Sequence, residues 1–477
     1  MPKNKTSFYV TAAIPYVNAK PHLGHVLEWF QADAVARYQK ILGKDVAFVC
    51  GADENSLKNV QAAEKVGKTT QAWLDEYSEI FQKAFQFFDI SLTSFRRGSD
   101  QKLHWPGVQQ LWQLCQKSDD IYKKSYTGLY CVGCESFYTP DELIDGKCPE
   151  HFTVPEKVEE ENYFFRLSKY QTQIQKFIES DELKIISDQY KNEMLGFIQK
   201  GLQDFSISRS VKRARGFGVP VPDDPTQIMY VWFDALSIYL TGIGWGFDTA
   251  TFEKYWPADI QVIGKGINRF HSIYWIGMLL SAGLPIPKSI SVHGYITANG
   301  QKMSKSIGNV IDPFEVVAQF GLEPVRYFLL KEIPAHTDGD FSYERFHEVY
   351  AADLANGIGN LCSRIAKLCE KAEVAGQEEP TAFDPVFSGF VETLDFDRAL
   401  QWVKQQMTIA DQFLSEQKPW KQTGDVQQHT LQTSLGHILS IAYHLQPFMP
   451  ETSKTILQHF SQPKISSLQP LFPRLAE

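Results

Sequence analysis

The chain has 477 residues, of which 43% are hydrophobic and 22% are charged, as in ordinary globular proteins. That balance excludes a disordered or fibrous chain, and no run of about 18 apolar residues marks a transmembrane helix. The net charge of −9 excludes a protein that coats nucleic acid through bulk electrostatics, so any such contact is expected to be local. The N-terminus shows neither a secretory signal nor a mitochondrial presequence, which makes the cytoplasm the expected compartment.

The first hundred residues alternate between strand and helix patterns. Residues 8–14 predict a buried strand, and apolar residues then recur at helical spacing from His25 to Ile41. Residues 45–50 predict a second strand, and helical patterns run through residues 61–88. This order is typical of a doubly wound parallel sheet, so we expect the first half of a Rossmann-type α/β domain at residues 1–117.

The pattern changes twice further along the chain. Turns, a cysteine cluster and an acidic run predict a connective insertion at residues 118–210. The α/β pattern resumes over residues 211–342, and repeated helical segments predict an all-α bundle at residues 343–477. The expected fold class is therefore α/β, a Rossmann-type parallel sheet with an insertion, followed by a helical bundle.

Two histidines flank a glycine in the loop after the first predicted strand. His22, Gly24 and His25 stand at the start of a predicted helix, where free N–H groups and the helix dipole favour phosphate. Histidines near a helix start are more often capping or packing residues. This segment alone leaves both interpretations open.

A basic segment, residues 302–306 (KMSKS), follows a late predicted strand. Two lysines with interleaved serines on a loop can neutralise charge that develops on an anion. The alternative is a solvated basic loop, and the segment alone does not decide between them.

The cysteine spacing predicts a metal site. Cys131 and Cys134 form one pair, and Cys148 and His151 form another, with two residues between the members of each. Three thiolates and one imidazole suit tetrahedral Zn²⁺, and a filled ligand set indicates one structural zinc per chain. Scattered buried cysteines are the alternative.

Two groups of residues recur at helical spacing. They are Trp232, Ala235 and Tyr239 in one group and Ile267, His271 and Trp275 in the other. Each group shares one helix face, and two aromatic faces could enclose a flexible thioether because sulfur packs well against ring edges. Spacing alone favours two ordinary core stripes.

Together, HLGH and KMSKS form the paired signature of class I aminoacyl-tRNA synthetases, and the chain resembles methionyl-tRNA synthetases in particular. The resemblance spans nearly the whole chain and is a match of sites rather than of fold alone. The supporting stretches are AAIPYVNAKPHLGH, LYCVGCESFYT, EENYFFRLSKY, GVPVP, YVWFDALSIYLTGIGW and VHGYITANGQKMSKSIGNVIDP.

The resemblance implies a methionine–tRNA ligase that acts in two steps. The carboxylate of L-methionine attacks the α-phosphorus of ATP to give methionyl-adenylate and pyrophosphate, and the acyl group then passes to the terminal adenosine of tRNA(Met), initiator tRNA included. Mg²⁺ would accompany ATP, and Zn²⁺ would sit in a knuckle of the connective insertion. Positioning and charge stabilisation, rather than a protein nucleophile, are expected to carry the reaction.

The resemblance also implies roles for individual residues. The expected catalytic residues are His22, His25, Lys302, Lys305 and Arg209. The expected ATP-binding residues are His22, Gly24, His25, Gly264, Lys302, Ser304 and Lys305. The expected methionine-binding residues, with Asp53 on the ammonium group, are Ile14, Tyr16, Asp53, Trp232, Ala235, Tyr239, Ile267, His271 and Trp275.

The predicted bundle matches the anticodon-binding region of the family. Asn360 and Arg364 lie one helical turn apart and can hydrogen-bond splayed-out bases, while Trp420 can stack on one. Residues 344–477 carry 11 Lys and Arg against 16 Asp and Glu, so bulk charge does not predict RNA binding. A buried core position is the alternative for Trp420.

Three positions depart from the family pattern. Asn55 stands where members often have His, and Gly266 stands where they usually have Asp. Leu236 replaces a Pro that one branch of the family carries. Both signature motifs are intact.

Two other functions compete with this interpretation. One is a class I synthetase for another amino acid, although the large editing insertions of the Ile, Val and Leu enzymes are absent. The other is a synthetase-like paralogue that binds tRNA or a protein without activating an amino acid, which Asn55 and Gly266 keep open. The chain ends soon after the bundle without an appended dimerisation domain, so a monomer is expected.

Overall fold

The computed structural model describes residues 6–133, 136–150, 152–303 and 309–475. These residues form two units. The first unit holds residues 6–21 and 44–292, and the second unit holds residues 22–43 and 293–475.

The strands are numbered in chain order. They are β1 (Ser7–Ala12), β2 (Asp45–Ala52), β3 (Ser94–Arg97), β4 (Ile121–Cys131), β5 (Ser136–Tyr138), β6 (Glu156–Phe165), β7 (Lys184–Ile186), β8 (Phe205–Ser206), β9 (Ser208–Ser210), β10 (Pro220–Val221), β11 (Asp224–Met229), β12 (Ile260–Gly264), β13 (Ser289–His293), β14 (Ile296–Ala298), β15 (Gln301–Lys302) and β16 (Gly339–Phe341).

The α-helices are numbered in the same way. They are α1 (Leu23–Ile41), α2 (Leu57–Lys65), α3 (Thr70–Phe87), α4 (Trp105–Lys117), α5 (Gln171–Glu179), α6 (Asp188–Gln199), α7 (Val231–Leu236), α8 (Ile238–Thr241), α9 (Thr249–Tyr255), α10 (Trp275–Ser281), α11 (Pro313–Phe320), α12 (Leu322–Glu332), α13 (Tyr343–Val349), α14 (Asn360–Lys371), α15 (Pro385–Glu392), α16 (Phe396–Gln417), α17 (Gly424–Leu445) and α18 (Pro450–Phe460). Short 3₁₀ turns and two π-helical stretches, Phe270–Tyr274 and Tyr350–Gly359, complete the helical elements described.

A six-stranded sheet in the order β3-β2-β1-β12-β13-β7 organises the first unit. Strand β1 runs parallel to both neighbours, with Val10 opposite Phe48 on β2 and Ile260 on β12. Five of the six β1 residues are buried, the continuous burial typical of a parallel strand covered on both faces. The predicted α/β class with a parallel sheet is confirmed.

Residues 118–210 contribute to three different sheets, the smallest of which pairs β9 with β11. Strands β5, β4, β6 and β8 form an antiparallel sheet, in which β4 and β6 pair along a long ladder. Strand β7 of the same segment pairs instead with β13, parallel, at the end of the six-stranded sheet. Its Ile185 and Ile186 are buried, but a run of three residues is too short to be recognised as a strand from periodicity.

The second unit is mainly helical. From residue 343 to 475 the regular elements are all helices, as the sequence predicts. Helix α1 belongs to this unit, where the Arg326 guanidinium of α12 donates to the Asp33 carboxylate at 2.7 Å and both side chains are fully buried. The Tyr38 ring packs against Phe383 at 5.0 Å.

Among the residues described, no helix combines the length and the apolar character that crossing a bilayer needs.

Candidate active site

The loops that follow parallel strands of the first unit carry several of the predicted methionine-binding residues. Ile14 and Tyr16 follow β1, and Asp53 follows β2. Asp53 forms an isolated parallel bridge with Tyr16, in which the Asp53 amide donates to the Pro15 carbonyl at 2.9 Å. Loops at the carboxyl ends of parallel strands are where open α/β sheets bind ligands.

Asp53 occupies a sheltered position in its loop. Its residue surface is 4% exposed. The Asn59 side-chain amide donates to the carbonyls of Asp53 and Glu54 at 2.8 and 3.0 Å, which fixes the backbone of the loop. The Lys58 ammonium lies 4.0 Å from the centroid of the Tyr16 ring. Asp53 is thus buried in a loop with a fixed backbone, paired with the segment that carries Tyr16.

The helices α7 and α8 present the first predicted aromatic group. Trp232 and Ala235 lie on α7, and Tyr239 lies on α8 after a break at Ser237. The Trp232 ring stacks on Phe270 at 3.9 Å with an interplanar angle of 4°. Phe270 was missed by the sequence reasoning, although it stands directly beside His271 in the second group.

The second group lies on an irregular helical segment. Side chains of this segment contact rings of the first group. A π-helical stretch over Phe270–Tyr274 separates Ile267 from Trp275, a deviation that is frequent at functional sites. The His271 ring meets Trp232 edge-on at 6.4 Å, and Tyr239 meets Trp275 at 6.3 Å. The structure therefore brings four of the predicted side chains into one aromatic cluster that is buried in the core of the first unit: Trp232, Tyr239, His271 and Trp275.

The hydrogen bonds of His271 define its protonation state. Burial lowers the pKa of His271 to about 4, so its ring is neutral at pH 7. Nδ1 lies 2.9 Å from the Ile267 carbonyl and must donate to it. Nε2 therefore accepts from the Tyr239 hydroxyl at 2.8 Å. His271 and Tyr239 therefore add no formal charge to the aromatic cluster.

The predicted phosphate-binding histidines cap helix α1 in the second unit. The His22 Nδ1 accepts from the His25 amide at 3.4 Å, and the His25 Nδ1 accepts from the His22 amide at 3.2 Å. The two rings stack at 3.8 Å. Because each Nδ1 accepts, each neutral ring carries its proton on Nε2. Capping therefore fixes the tautomer that can donate to an anion.

The environment of His25 favours its neutral form. Burial lowers the pKa of His25 well below its ordinary value, and the neighbouring rings of His22 and His293 lower it further. His293 lies 3.0 Å from the Glu28 carboxylate, which also belongs to helix α1. This contact joins the start of α1 to the segment that leads into the KMSKS sequence.

The KMSKS segment is described only in part. Lys302 ends strand β15, which pairs with β14, whereas Ser304 and Lys305 lie outside the described residues. Gly264 ends strand β12, and Gly266 lies in the 3₁₀ turn Lys265–Ile267 that follows. The roles predicted for these residues remain predictions.

Arg209 lies on β9, in a small antiparallel sheet of the first unit. It is 5% exposed, and its guanidinium carbon lies 5.4 Å from the Tyr230 ring and 6.0 Å from the Tyr130 ring. Tyr230 directly precedes α7. The cation is therefore buried among aromatic rings next to the helix that carries Trp232.

Two of the four predicted zinc ligands are described. Cys131 and Cys148 are both buried, and they share a small cluster with Tyr138. Neither forms a disulfide. Cys134 and His151 lie outside the described residues, and the part of the chain that is described holds no group of three or more His, Cys, Asp or Glu side chains arranged for a metal.

The predicted anticodon residues lie on the second unit. Asn360 and Arg364 stand on α14, and Arg364 forms an ion pair with Asp411 on α16. Trp420 lies in the turn Pro419–Lys421 and is 48% exposed. The alternative of a buried core position for Trp420 is therefore wrong.

Comparison with known proteins identifies the class of the chain. The sequence matches the family described as tRNA synthetases class I (M) over residues 8–154 and 151–366. It is 40% identical to methionine–tRNA ligase of Thermotoga maritima over 95% of this chain and 75% of that protein. It is 35% identical to the Brucella suis ligase over 99% of both.

The fold is similar to solved structures of the same family. Mycobacterium tuberculosis methionyl-tRNA synthetase in complex with methionyl-adenylate matches with a TM-score of 0.90 and 34% identity, over 98% of this chain and 100% of that chain. The free-state structure of that enzyme matches with a TM-score of 0.84 and 32% identity over all of both chains. The chain is thus a class I aminoacyl-tRNA synthetase. It belongs to the methionine family of that class.

Proposed function

We propose that the chain joins methionine to tRNA(Met) in two steps, through methionyl-adenylate. The observation that carries the proposal is the aromatic cluster. Trp232, Tyr239 and His271 come together beside the loops of a parallel sheet, in a chain whose family membership is established by sequence matches over nearly its full length.

The first unit holds the amino acid in this proposal. The Asp53 carboxylate pairs with the substrate ammonium, and the neutral rings of Trp232, Tyr239 and His271 surround the thioether. A wall without formal charge suits a polarisable sulfur. The pocket discriminates by shape, for which one methylene counts about 1–3 kcal/mol.

His22, Gly24 and His25 are the first of the proposed ATP contacts. His22 and His25 donate through Nε2, since both Nδ1 atoms cap helix α1, and the helix N-terminus adds its own N–H groups. Lys302 and Lys305 neutralise the charge that develops as the methionine carboxylate attacks the α-phosphorus, and Arg209 adds a buried cation. Gly264 and Ser304 complete the proposed ATP contacts.

Adenylate formation needs no protein nucleophile. The carboxylate oxygen forms a bond to the α-phosphorus as pyrophosphate leaves with the electrons of the broken bond. Mg²⁺, which accompanies ATP in this class of enzyme, supplies further neutralisation of the triphosphate. The acyl group then passes to a ribose hydroxyl of the terminal adenosine of tRNA, and AMP leaves.

We also propose a structural Zn²⁺ in the knuckle that holds Cys131, Cys134, Cys148 and His151. The two described thiols support it, because they are buried in one small cluster and are not joined to each other. Thiolate ligands bind Zn²⁺ tightly and add folding free energy to a small loop. No catalytic step is assigned to this metal.

Metal analysis tests the zinc proposal. Protein that has never met a chelator should contain about one Zn²⁺ per chain, and Cys148→Ser should lower that content several-fold. Cys369→Ser removes a cysteine of the second unit and is the matched control. Zinc well below one per chain in the unaltered protein would contradict the assignment.

Residues 343–477 are proposed to bind the anticodon. The exposure of Trp420 supports the proposal, since an exposed indole is available to stack on a base. Asn360 and Arg364 add polar groups one helical turn apart on the same unit.

Charging of purified tRNA tests the complete function. With methionine and ATP, both initiator and elongator tRNA(Met) should acquire an acyl group that acid gels resolve from uncharged tRNA. A tRNA with another anticodon is the control. Methionine-dependent pyrophosphate exchange without transfer to tRNA(Met) would contradict the second step.

A further inference from the structure

Asn55, which replaces the histidine frequent in the family, lies in a closed hydrogen-bond network. It is 7% exposed. Its side-chain nitrogen donates to the Asp234 carboxylate at 2.5 Å and to the Gly98 carbonyl at 2.9 Å. An amide nitrogen carries two hydrogens in one plane. Asn55 therefore uses both of them at once.

The other oxygen of Asp234 bonds a histidine. His104 Nε2 lies 2.6 Å from Asp234 Oδ1, and His104 Nδ1 lies 2.8 Å from the Thr241 hydroxyl. Asp234 is 1% exposed, and His104 and Thr241 are 0% exposed. A carboxylate buried this deeply needs such partners, because an unpaired one would carry a large desolvation cost.

The network ties together the two halves of the proposed methionine pocket. Asn55 stands two residues after Asp53, which we place on the substrate ammonium. Asp234 lies on α7 between Trp232 and Ala235. These hydrogen bonds thus link the loop that carries Asp53, the proposed partner of the substrate ammonium, to helix α7, which carries Trp232, a proposed contact of the thioether.

His104 extends the same chain across a helix break. Asp234 belongs to α7 and Thr241 to α8, and His104 bonds to both. Tyr239 lies on α8 as well. His104 therefore links the helix that carries Trp232 to the helix that carries Tyr239.

The backbone at Gly98, which accepts a hydrogen bond from Asn55, is closely packed. A Cβ atom at Gly98 would come within 3.2 Å of the Ala52 carbonyl oxygen and 3.4 Å of the Asn55 side-chain nitrogen. The Gly98 carbonyl also accepts from the Trp105 indole at 3.0 Å. The backbone around Gly98 thus serves as a fixed support for Asn55.

We propose that Asn55, His104 and Asp234 are positioning residues that set the distance between the ammonium-binding carboxylate and the thioether pocket. They touch the pocket-forming elements rather than the substrate. The proposal rests on the proposed function, because it concerns the same pocket. It also explains how a chain with Asn at this position keeps the Asp53 loop in place.

Variants of Asn55 test the proposal through a split in kinetic constants. Asn55→Leu keeps the size of the side chain and removes both donors. It should raise the KM for methionine in pyrophosphate exchange about ten- to a hundredfold while the KM for ATP changes less than twofold. Asn55→His restores a donor for Asp234 and should return the KM for methionine to within about threefold of the wild-type value.

A matched variant separates positioning from simple loss of stability. Ser281→Ala removes a buried hydrogen bond of 2.7 Å to another buried carboxylate of the first unit, Asp120. It should lower the Tm without raising the KM for methionine. Thr241→Val removes only the hydrogen bond between Thr241 and His104, and it should raise the KM for methionine about threefold. It carries the test if Asn55→Leu does not fold.

The outcomes separate this proposal from the function it rests on. A folded Asn55→Leu protein with an unchanged KM for methionine, or with equal rises for methionine and ATP, would overturn the positioning role. If only Thr241→Val folds, an unchanged KM for methionine in that variant would overturn it. Absence of methionine-dependent exchange in the unaltered protein would instead overturn the proposed function.

Discussion

His22 and His25 each serve two purposes at the start of helix α1. Their Nδ1 atoms satisfy backbone amides that the first helical turn leaves without partners. Each of these bonds also determines which nitrogen carries the proton. Because Nδ1 accepts, Nε2 carries the hydrogen and can donate it to a phosphate oxygen. The structural and the functional interpretations of this motif are therefore compatible.

Gly24 is predicted to be intolerant of a side chain. A Cβ at this position would lie 3.1 Å from two atoms of the His22 ring, so Gly24→Ala must displace the ring. We expect methionine-dependent pyrophosphate exchange to fall by up to about 100-fold, because misplacement of a positioning group by about 1 Å can cost that much. Steady-state exchange rates at saturating substrate measure the effect.

A glycine in another helix of the same unit is the control for this prediction. Gly389 lies on α15, where an added Cβ atom would meet no heavy atom within 4 Å, so Gly389→Ala should leave exchange unchanged. Equal activity of the Gly24→Ala and wild-type proteins would show that the His22 ring position does not matter for the reaction.

His271 predicts a specific dependence of stability on pH. Its pKa is lowered to about 4 by burial, so between that value and its ordinary 6.5 the unfolded chain binds more protons than the folded one. The stabilisation is complete above pH 6.5 and is lost as the pH falls towards 4, at up to about 1.4 kcal/mol per pH unit. Urea unfolding at pH 7, 6 and 5 measures it.

Removal of the group should flatten that profile. In His271→Asn, the free energy of unfolding should fall less steeply with decreasing pH than in the wild type. His429→Asn removes an exposed histidine and controls for the loss of one ionisable group. Identical slopes for the wild type and His271→Asn would contradict a neutral, buried His271.

At the scale of elements, irregular helices build the pocket. The break at Ser237 between α7 and α8 and the π-helical stretch Phe270–Tyr274 allow side chains from two segments to converge. An uninterrupted helix would hold its side chains at a regular 3.6-residue period. Across these segments Trp232 stacks on Phe270, and the Tyr239 hydroxyl donates to His271.

The turn after α16 exposes Trp420 in a similar way. Lys418 ends the helix in the left-handed conformation with φ of 50°, and Pro419 follows. The chain therefore turns sharply, and Trp420 stands in the 3₁₀ turn beyond the helix end rather than on a helix face.

Trp420→Ala should separate the two steps of the reaction. Loss of one stacked base is worth about 1–3 kcal/mol, so charging of tRNA(Met) should fall by roughly 10- to 100-fold while pyrophosphate exchange stays unchanged. Val386→Ala, which shortens an exposed apolar side chain of the same unit, is the control. A parallel loss of exchange would show that Trp420 acts on the fold.

At the scale of the whole molecule, the sequence predicts what depends on local pattern. The buried strand β1, helix α1 and the helices beyond residue 343 follow from apolar periodicity. The aromatic cluster is different. Spacing alone favoured core stripes, and the structure does bury Trp232, Tyr239 and Trp275 in the core of the first unit. The assignment of these residues to methionine follows from the resemblance to the family and stays a prediction.

Features that depend on distant parts of the chain could not be predicted. The pairing of β7 with β13 joins residues 185 and 290, and no local sequence pattern predicts this pairing. Helix α1 belongs to the second unit through long-range contacts such as the buried Arg326–Asp33 pair. The sequence shows Asn55 only as a departure from the family pattern. Its bond to Asp234 joins positions 179 residues apart.

The most direct test of the proposed activity is amino-acid-dependent exchange of labelled pyrophosphate into ATP, with methionine, leucine, isoleucine, valine and cysteine compared at equal concentration. We expect strong exchange with methionine. Exchange with each of the other amino acids should be at least about 10- to 100-fold lower, which is the discrimination that a difference of one methylene can give. Comparable exchange with leucine or isoleucine would contradict the assignment of the pocket to methionine. No exchange with any amino acid, from folded protein, would contradict adenylate formation itself.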